Sequence, residues 1–129
     1  MKCRTWCGVA SLGLGLVLMA GCGAVVAGAA AGAGAVAYVR GELKATEEGS
    51  FDDVLNATGA AIADLQLTLT GKEADGLSGK LTARTADDKR VEINLKKVSE
   101  TLTEIRIRVD VFGDENLSRI IHNKIKAHL

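Results

Sequence analysis

Beyond residue 50 the hydrophobic positions change rhythm several times, and each rhythm predicts an element. Phe51, Val54, Leu55, Thr58, Ile62 and Leu65 recur at helical spacing, so FDDVLNATGAAIADL reads as an amphipathic helix. Ser50 stands as its N-cap, and Asp52 and Asp53 suit the positive helix start. Gly59 is expected to weaken the middle and to mark close packing against a sheet. Alternation then takes over. Leu65, Leu67 and Leu69 alternate with polar residues, and after the turn at Asp75-Gly76 so do Leu81 and Ala83. Asp87-Asp88 turns the chain again into Val91, Ile93 and Leu95. Ser99-Glu100 turns it into Ile105, Ile107, Val109 and Val111. The last stretch returns to helical spacing, with Leu117, Ile120, Ile121, Lys124 or Ile125, and His128 on one face. Asp114 is its natural N-cap, Glu115 suits its first turn, and Lys124 and Lys126 suit its last.

Four strands, each with one apolar and one polar face and joined by short connections, are antiparallel neighbours. Two amphipathic helices and a one-sided sheet bury their apolar faces against each other. The expected fold is therefore α+β, a four-stranded antiparallel meander with both helices on one face, in the order αββββα. An apolar signal helix precedes it. Register is also predicted. The apolar faces of the last two strands coincide only when paired residue numbers add to an even value. A sum of 200 sets Glu92 opposite Arg108, Lys96 opposite Glu104 and Arg90 opposite Asp110, whereas 198 would set Arg90 against Arg108.

The N-terminal third follows neither rhythm. Gly8 to Val39 is 32 residues without a charge, which as one helix would be roughly 48 Å long at about 1.5 Å per residue. About 20 residues suffice to cross a bilayer core, so a single uncleaved span is too long by half. Lys2 and Arg4 followed by the apolar run to Met19 and the small pair Ala20-Gly21 form the tripartite build of a secretory signal. With Cys22 next, LMAGC resembles the lipobox of bacterial lipoproteins, although Met19 stands where leucine is usual. That resemblance implies cleavage before Cys22 and acylation of its thiol. Gly23 in place of an aspartate implies delivery to the outer membrane.

After Cys22, residues 23–39 are nearly all Gly, Ala and Val. Gly23, Ala27, Ala31 and Ala35 form one row at every fourth position, and Ala24, Gly28 and Gly32 form a second beside it. On a helix the two rows make a smooth face that a second helix could approach closely. Low-complexity spacer is the competing reading. Arg40 to Gly49 is charged and turn-forming, so the expected organisation is signal peptide 1–21, lipidated cysteine with apolar segment and linker 22–49, and globular domain 50–129.

Composition narrows the function classes. Sixteen basic and sixteen acidic side chains balance, and the aromatic residues are Trp6, Tyr38, Phe51 and Phe112 alone. Neither a basic field nor a stacking platform for nucleic acid is present in the sequence. Cys3, Cys7 and Cys22 all precede residue 23, so the remainder holds no disulfide or thiolate metal site. His122 and His128 are six apart on the last helix. They point about 120° apart, unlike a metal-binding HxxxH pair, and read as solvated surface residues. Asp52-Asp53 and Asp87-Asp88 read as a helix start and a turn, and no GxSxG or phosphate loop with lysine occurs. Lys80, Arg84, Arg90, Lys96, Arg106 and Arg108 fall on the polar sheet face. There Glu92, Glu104 and Asp110 balance them.

YVRGELK at 38–44 after a lipobox and Gly/Ala run, together with VFGDENLSRIIHNKI at 111–125, resembles a bacterial family of small lipoproteins of unknown function. The resemblance implies location and fold and supplies no activity, cofactor or catalytic residue. The expected function is a membrane-anchored, non-catalytic binding or structural module of the cell envelope, without cofactor or metal. It would contact lipid through acylated Cys22 and face the periplasm from the outer membrane. Its partner would be an envelope protein or a second copy. A small apolar-ligand or lipid carrier, and a membrane oligomer built on the small-residue face, are the alternatives.

Overall fold

Alternation and helical spacing both become visible as packed layers in a computed structural model, which describes residues 34–129. In chain order the elements are β1 (Val36–Val39), β2 (Glu42–Glu48), α1 (Phe51–Asp64), β3 (Thr68–Ala74), β4 (Ser78–Arg84), β5 (Arg90–Lys97), β6 (Leu102–Val109) and α2 (Glu115–Ala127). One sheet holds all six strands in the order β1-β2-β6-β5-β4-β3, every neighbouring pair antiparallel. The expected meander is β3 to β6. The expected count of four strands is corrected to six. Residues 36–48 are a hairpin whose second strand pairs with β6, not an apolar helix end followed by a linker.

The hairpin turns on Arg40 and Gly41, both with positive φ (53° and 80°). Two such residues between strands make a type I′ turn, whose twist matches the strands on either side. β2 then places Leu43, Ala45 and Glu47 on the helix-covered side. Its acidic tail and missing apolar residue at 47 concealed the period-two pattern.

β5 and β6 pair in the expected register, with Val91 opposite Val109, Glu92 opposite Arg108 and Lys96 opposite Glu104. The ion pairs, however, do not join these opposed residues but run along the same strand or to the neighbour on the other side. Glu92 meets Arg90 at 2.6 Å and Lys80 at 3.7 Å, Glu104 meets Arg106 at 2.6 Å and Lys44 at 3.5 Å, and Arg108 meets Glu42 at 3.9 Å. Arg84 lies directly opposite Arg90, and its own partner is Asp88 at 2.8 Å.

Both helices cap as expected. Ser50 Oγ accepts from the Asp53 amide at 3.2 Å, and Asp114 Oδ1 accepts from the Leu117 amide at 3.0 Å. The end of α1 differs from expectation. Gln66 adopts φ 56°, its amide donates to Ala63 O, and the Leu67 amide donates to Ile62 O. This is a Schellman stop, in which Leu65 and Leu67 pack back on the core. The alternation of Leu65, Leu67 and Leu69 is therefore not one strand, and β3 starts only at Thr68. Gly59 also departs from expectation, since a Cβ built there meets nothing within 4 Å.

The core lies between sheet and helices. Leu43, Leu81, Val91, Ile93, Ile105, Ile107 and Val109 from the strands meet Phe51, Val54, Ile62, Ile121 and Ile125 from the helices, all buried. The buried stripe of α2 is Ser118, Ile121, His122 and Ile125, a rotation from the expected face, and Ile120 is half exposed. β6 ends at Val109 because Asp110 turns left-handed (φ 60°), which leaves Val111 in solvent instead of in the strand.

Candidate functional site

Where β2 runs beneath α2, two ionisable side chains meet inside the protein. Glu47 continues the helix-facing row of Leu43 and Ala45, and His122 sits beside Ile121 and one turn before Ile125. His122 Nε2 and Glu47 Oε1 are 2.7 Å apart, with the residues 3% and 6% exposed. One of these two atoms donates the shared hydrogen and the other accepts it, the direction being set by the histidine tautomer. This corrects the expectation that His122 is a solvated surface residue. One turn earlier Ser118 Oγ is fully buried and makes no hydrogen bond among the described residues. On the strand beside Glu47, buried Thr103 donates to the Gly49 carbonyl at 3.1 Å and holds the β2–α1 turn.

A cleft of about 310 Å³ borders this cluster, lined by Gly34, Glu47, Glu48, Lys126 and Leu129. A second, of about 420 Å³, continues from Glu48 and Gly49 along Asn56, Ala57 and Ala60 of α1 to His128. His128 differs from His122 in its surroundings. Its Nε2 lies 2.7 Å from Asp64 Oδ2, the two side chains being 33% and 45% exposed. Lys124 approaches the same carboxylate at 3.9 Å.

The Glu47–His122 pair is tied into the core and joins helix layer to sheet. Two carboxylates elsewhere are held below their ordinary range by hydrogen bonding. The Leu117 amide lowers Asp114, assisted by Lys89, and the Ser78 and Leu77 amides lower Asp75. Asp114 is a half-buried helix cap and Asp75 an exposed turn residue. Among the described residues no cluster of three His, Cys, Asp or Glu is placed to hold a metal ion. Between the layers, where an apolar ligand would have to sit, the structure places the packed side chains of Val54, Ile93, Ile107, Ile121 and Ile125.

Cys22 and the small residues Gly23, Ala24, Ala27, Gly28, Ala31 and Gly32 lie outside the described residues. Ala35, the last of that expected helix face, is described. Its carbonyl accepts from the Thr46 amide at 3.3 Å, so it is extended chain alongside β2 and not a helical position. On the open face Lys80, Arg90, Arg106 and Arg108 pair with carboxylates of the sheet and Arg84 with Asp88 of the β4–β5 turn, whereas Lys96 makes no ion pair among the described residues. No helix among the described residues is long and apolar enough to cross a membrane. Sequence reasoning missed Glu47, His122 and Ser118 because all three are polar. The available signal was spacing, since 118, 121, 122 and 125 form one helical stripe irrespective of residue type.

The family described as "Protein of unknown function (DUF3568)" matches residues 7–128, and the chain belongs to it. A comparison with curated proteins returns no match.

Proposed function

We propose that this member of the DUF3568 family is a lipid-anchored protein of the bacterial cell envelope, held to a membrane by acyl chains on Cys22 and acting without catalysis through binding. The observation that carries the reading is LMAGC, a small-residue pair and cysteine directly after a cationic start and an apolar run. The outer membrane, with the domain facing the periplasm, is the location that Gly23 favours.

The fold is compatible with such a tether. Residues 23–33 separate Cys22 from Gly34, where the described domain begins. Those residues reach at most roughly 40 Å when fully extended. The domain would therefore stay within about its own diameter of the bilayer. Its open sheet face carries interleaved ion pairs instead of a field of one sign. A face of that kind discriminates partners by charge pattern, not by bulk attraction.

Membrane fractionation of cells making the wild type or Cys22→Ser tests the proposal. The wild type sediments with membranes, and the variant accumulates as a precursor or is released. A Cys22→Ser protein that is cleaved before residue 22 and still sediments with membranes like the wild type would remove the anchor from the account.

A further inference from the structure

The sheet has two edges, and they are built differently. At one edge β3 carries a bulge at Thr70, between Leu69 and Gly71, followed by Lys72 and Glu73. Bulges and charges of this kind block pairing with another strand. At the other edge β1 is Val-Ala-Tyr-Val, with no charge, no proline and no register shift against β2. Among the described residues nothing pairs with its outer side.

We propose that β1 is a pairing edge for a second copy of this chain, the two β1 strands running antiparallel about a twofold axis at Ala37.

The backbone geometry selects this register. In a two-residue type I′ hairpin the closing residues, Val39 and Glu42, exchange hydrogen bonds. Alternate residues Val39, Ala37 and Ala35 therefore turn their backbone groups toward β2. The bond from the Thr46 amide to the Ala35 carbonyl shows the pattern continuing. Val36 and Tyr38 turn their N–H and C=O groups outward. Side chains obey a second constraint. Val36 and Tyr38 lie on the helix-covered side, opposite Ala45 and Leu43, while Ala37 and Val39 lie on the open side, opposite Lys44 and Glu42. A pairing copy keeps its faces matched only if paired residue numbers add to an even value.

Three sums centre the contact on β1. With 72, Val36 meets itself, but Gly34 meets Tyr38, and the Gly34 amide is already bonded to the Thr46 carbonyl. With 76, Tyr38 meets itself, and Val36 meets Arg40 in its left-handed turn conformation. With 74, Val36 of each copy meets Tyr38 of the other, so every outward N–H and C=O of the strand is paired and Ala37 faces itself. Only this register satisfies both residues twice over. It also covers exposed Val36 with an aromatic ring, sets exposed Val39 against Ala35, and brings no two like charges together. Both helix layers then lie on the same side of one continuous sheet.

Ala37 opposite itself is a non-hydrogen-bonded pair, with Cα atoms about 4.5 Å apart, within the range a disulfide spans. Full-length protein in detergent micelles carrying Ala37→Cys is therefore oxidised mildly beside the wild type and beside Leu69→Cys on the opposite edge. The expected result is a disulfide joining residue 37 of two copies in Ala37→Cys, with none through residue 69 in Leu69→Cys, each identified by peptide mass and so told apart from crosslinks through Cys3, Cys7 or Cys22. Val36→Pro in that background removes an amide that serves no bond among the described residues. It lowers the dimer yield about tenfold or more while the circular dichroism spectrum stays that of the folded wild type. Ala37→Lys, which sets two ammonium groups across the axis, shifts the otherwise unmodified protein to monomer in sedimentation. Equal crosslinking of Ala37→Cys and Leu69→Cys, a yield insensitive to Val36→Pro, or a wild type that stays monomeric at all concentrations overturns the proposal. So does protection of β1 by residues 1–33 of its own chain, which would leave the thiol of Ala37→Cys unreactive in a monomer.

Discussion

Replacing Glu47 by alanine leaves the His122 ring nitrogen, 3% exposed in the folded protein, without its hydrogen-bond partner. Breaking a buried pair by removing one partner costs about 3–5 kcal/mol, because an uncompensated polar or charged group remains inside. The molecule contains its own comparison. Asp64 and His128 make a bond of the same 2.7 Å length, but with side chains 45% and 33% exposed, against 9% and 4% for Glu47 and His122. An exposed pair of that kind contributes about 0–1 kcal/mol. Distance alone would predict equal effects, and burial predicts a several-fold difference. In a domain of this size 1 kcal/mol moves the melting temperature by about 4–8 °C. Glu47→Ala should therefore melt at least about 12 °C below the wild type, and Asp64→Ala within about 8 °C. Glu47→Gln, which keeps an acceptor oxygen in place, should fall between them. Substituting both members, as Glu47→Met with His122→Leu, should recover most of the loss, since two apolar side chains leave nothing unpaired. The assay is urea and thermal unfolding of the purified protein, with the double-mutant cycle read as a coupling energy. Equal effects of Glu47→Ala and Asp64→Ala would refute the reasoning, since the inner pair would then be as wet as the outer one.

Ser118→Ala removes a buried hydroxyl that has no partner among the described residues and inserts a better helix former, so it should stabilise by up to about 1 kcal/mol; a loss in urea unfolding would reveal a hydrogen bond. Two glycines should respond in opposite directions. Gly59→Ala adds a methyl into open space in α1 and should stabilise by about 0.5–1 kcal/mol. Gly113→Ala should destabilise by about 1–3 kcal/mol or more, because its φ is 82° and the new Cβ would fall 2.6 Å from Gly41 O and onto Gly41 Cα. Thermal melts of the two variants check the pair of signs. Asp114 carries a depressed folded-state pKa, so its contribution is present above the ordinary carboxylate value of about 3.9 and is lost as pH falls through the folded value. Asn in its place keeps the capping oxygen but not the charge. The melting-temperature gap between wild type and Asp114→Asn should therefore be constant above about pH 5 and close below pH 4, and a gap unchanged down to pH 2 would contradict it.

Much of the fold was legible because apolar and polar residues alternate strictly in Leu81–Ala83, Val91–Leu95 and Ile105–Val109. That parity, with charge, was enough to select the register of β5 on β6. Ser50 and Asp114 announced their helices because caps are chosen by side-chain chemistry at one position. The failures have a common cause, which is that polar residues do structural work in this chain. Glu47 ends the buried row of β2, so ELKATEE read as a linker. Arg40 supplies the first left-handed residue of the β1–β2 turn, where asparagine or glycine would have signalled a hairpin. Gln66 supplies the left-handed stop of α1, where glycine would have separated Leu65 and Leu67 from β3. His122 and Ser118 occupy the inner stripe of α2, and half-exposed Ile120 drew the expected face away from them. The buried pair at the candidate site could not be read at all, because its members are 75 positions apart and only the pairing of β2 with β6 brings them together.

Intact mass spectrometry of protein extracted from membranes measures the anchor itself. A chain that begins at Cys22 and carries the added mass of acyl groups is what the account predicts. A chain that still begins at Met1 with an unmodified Cys22 would contradict it.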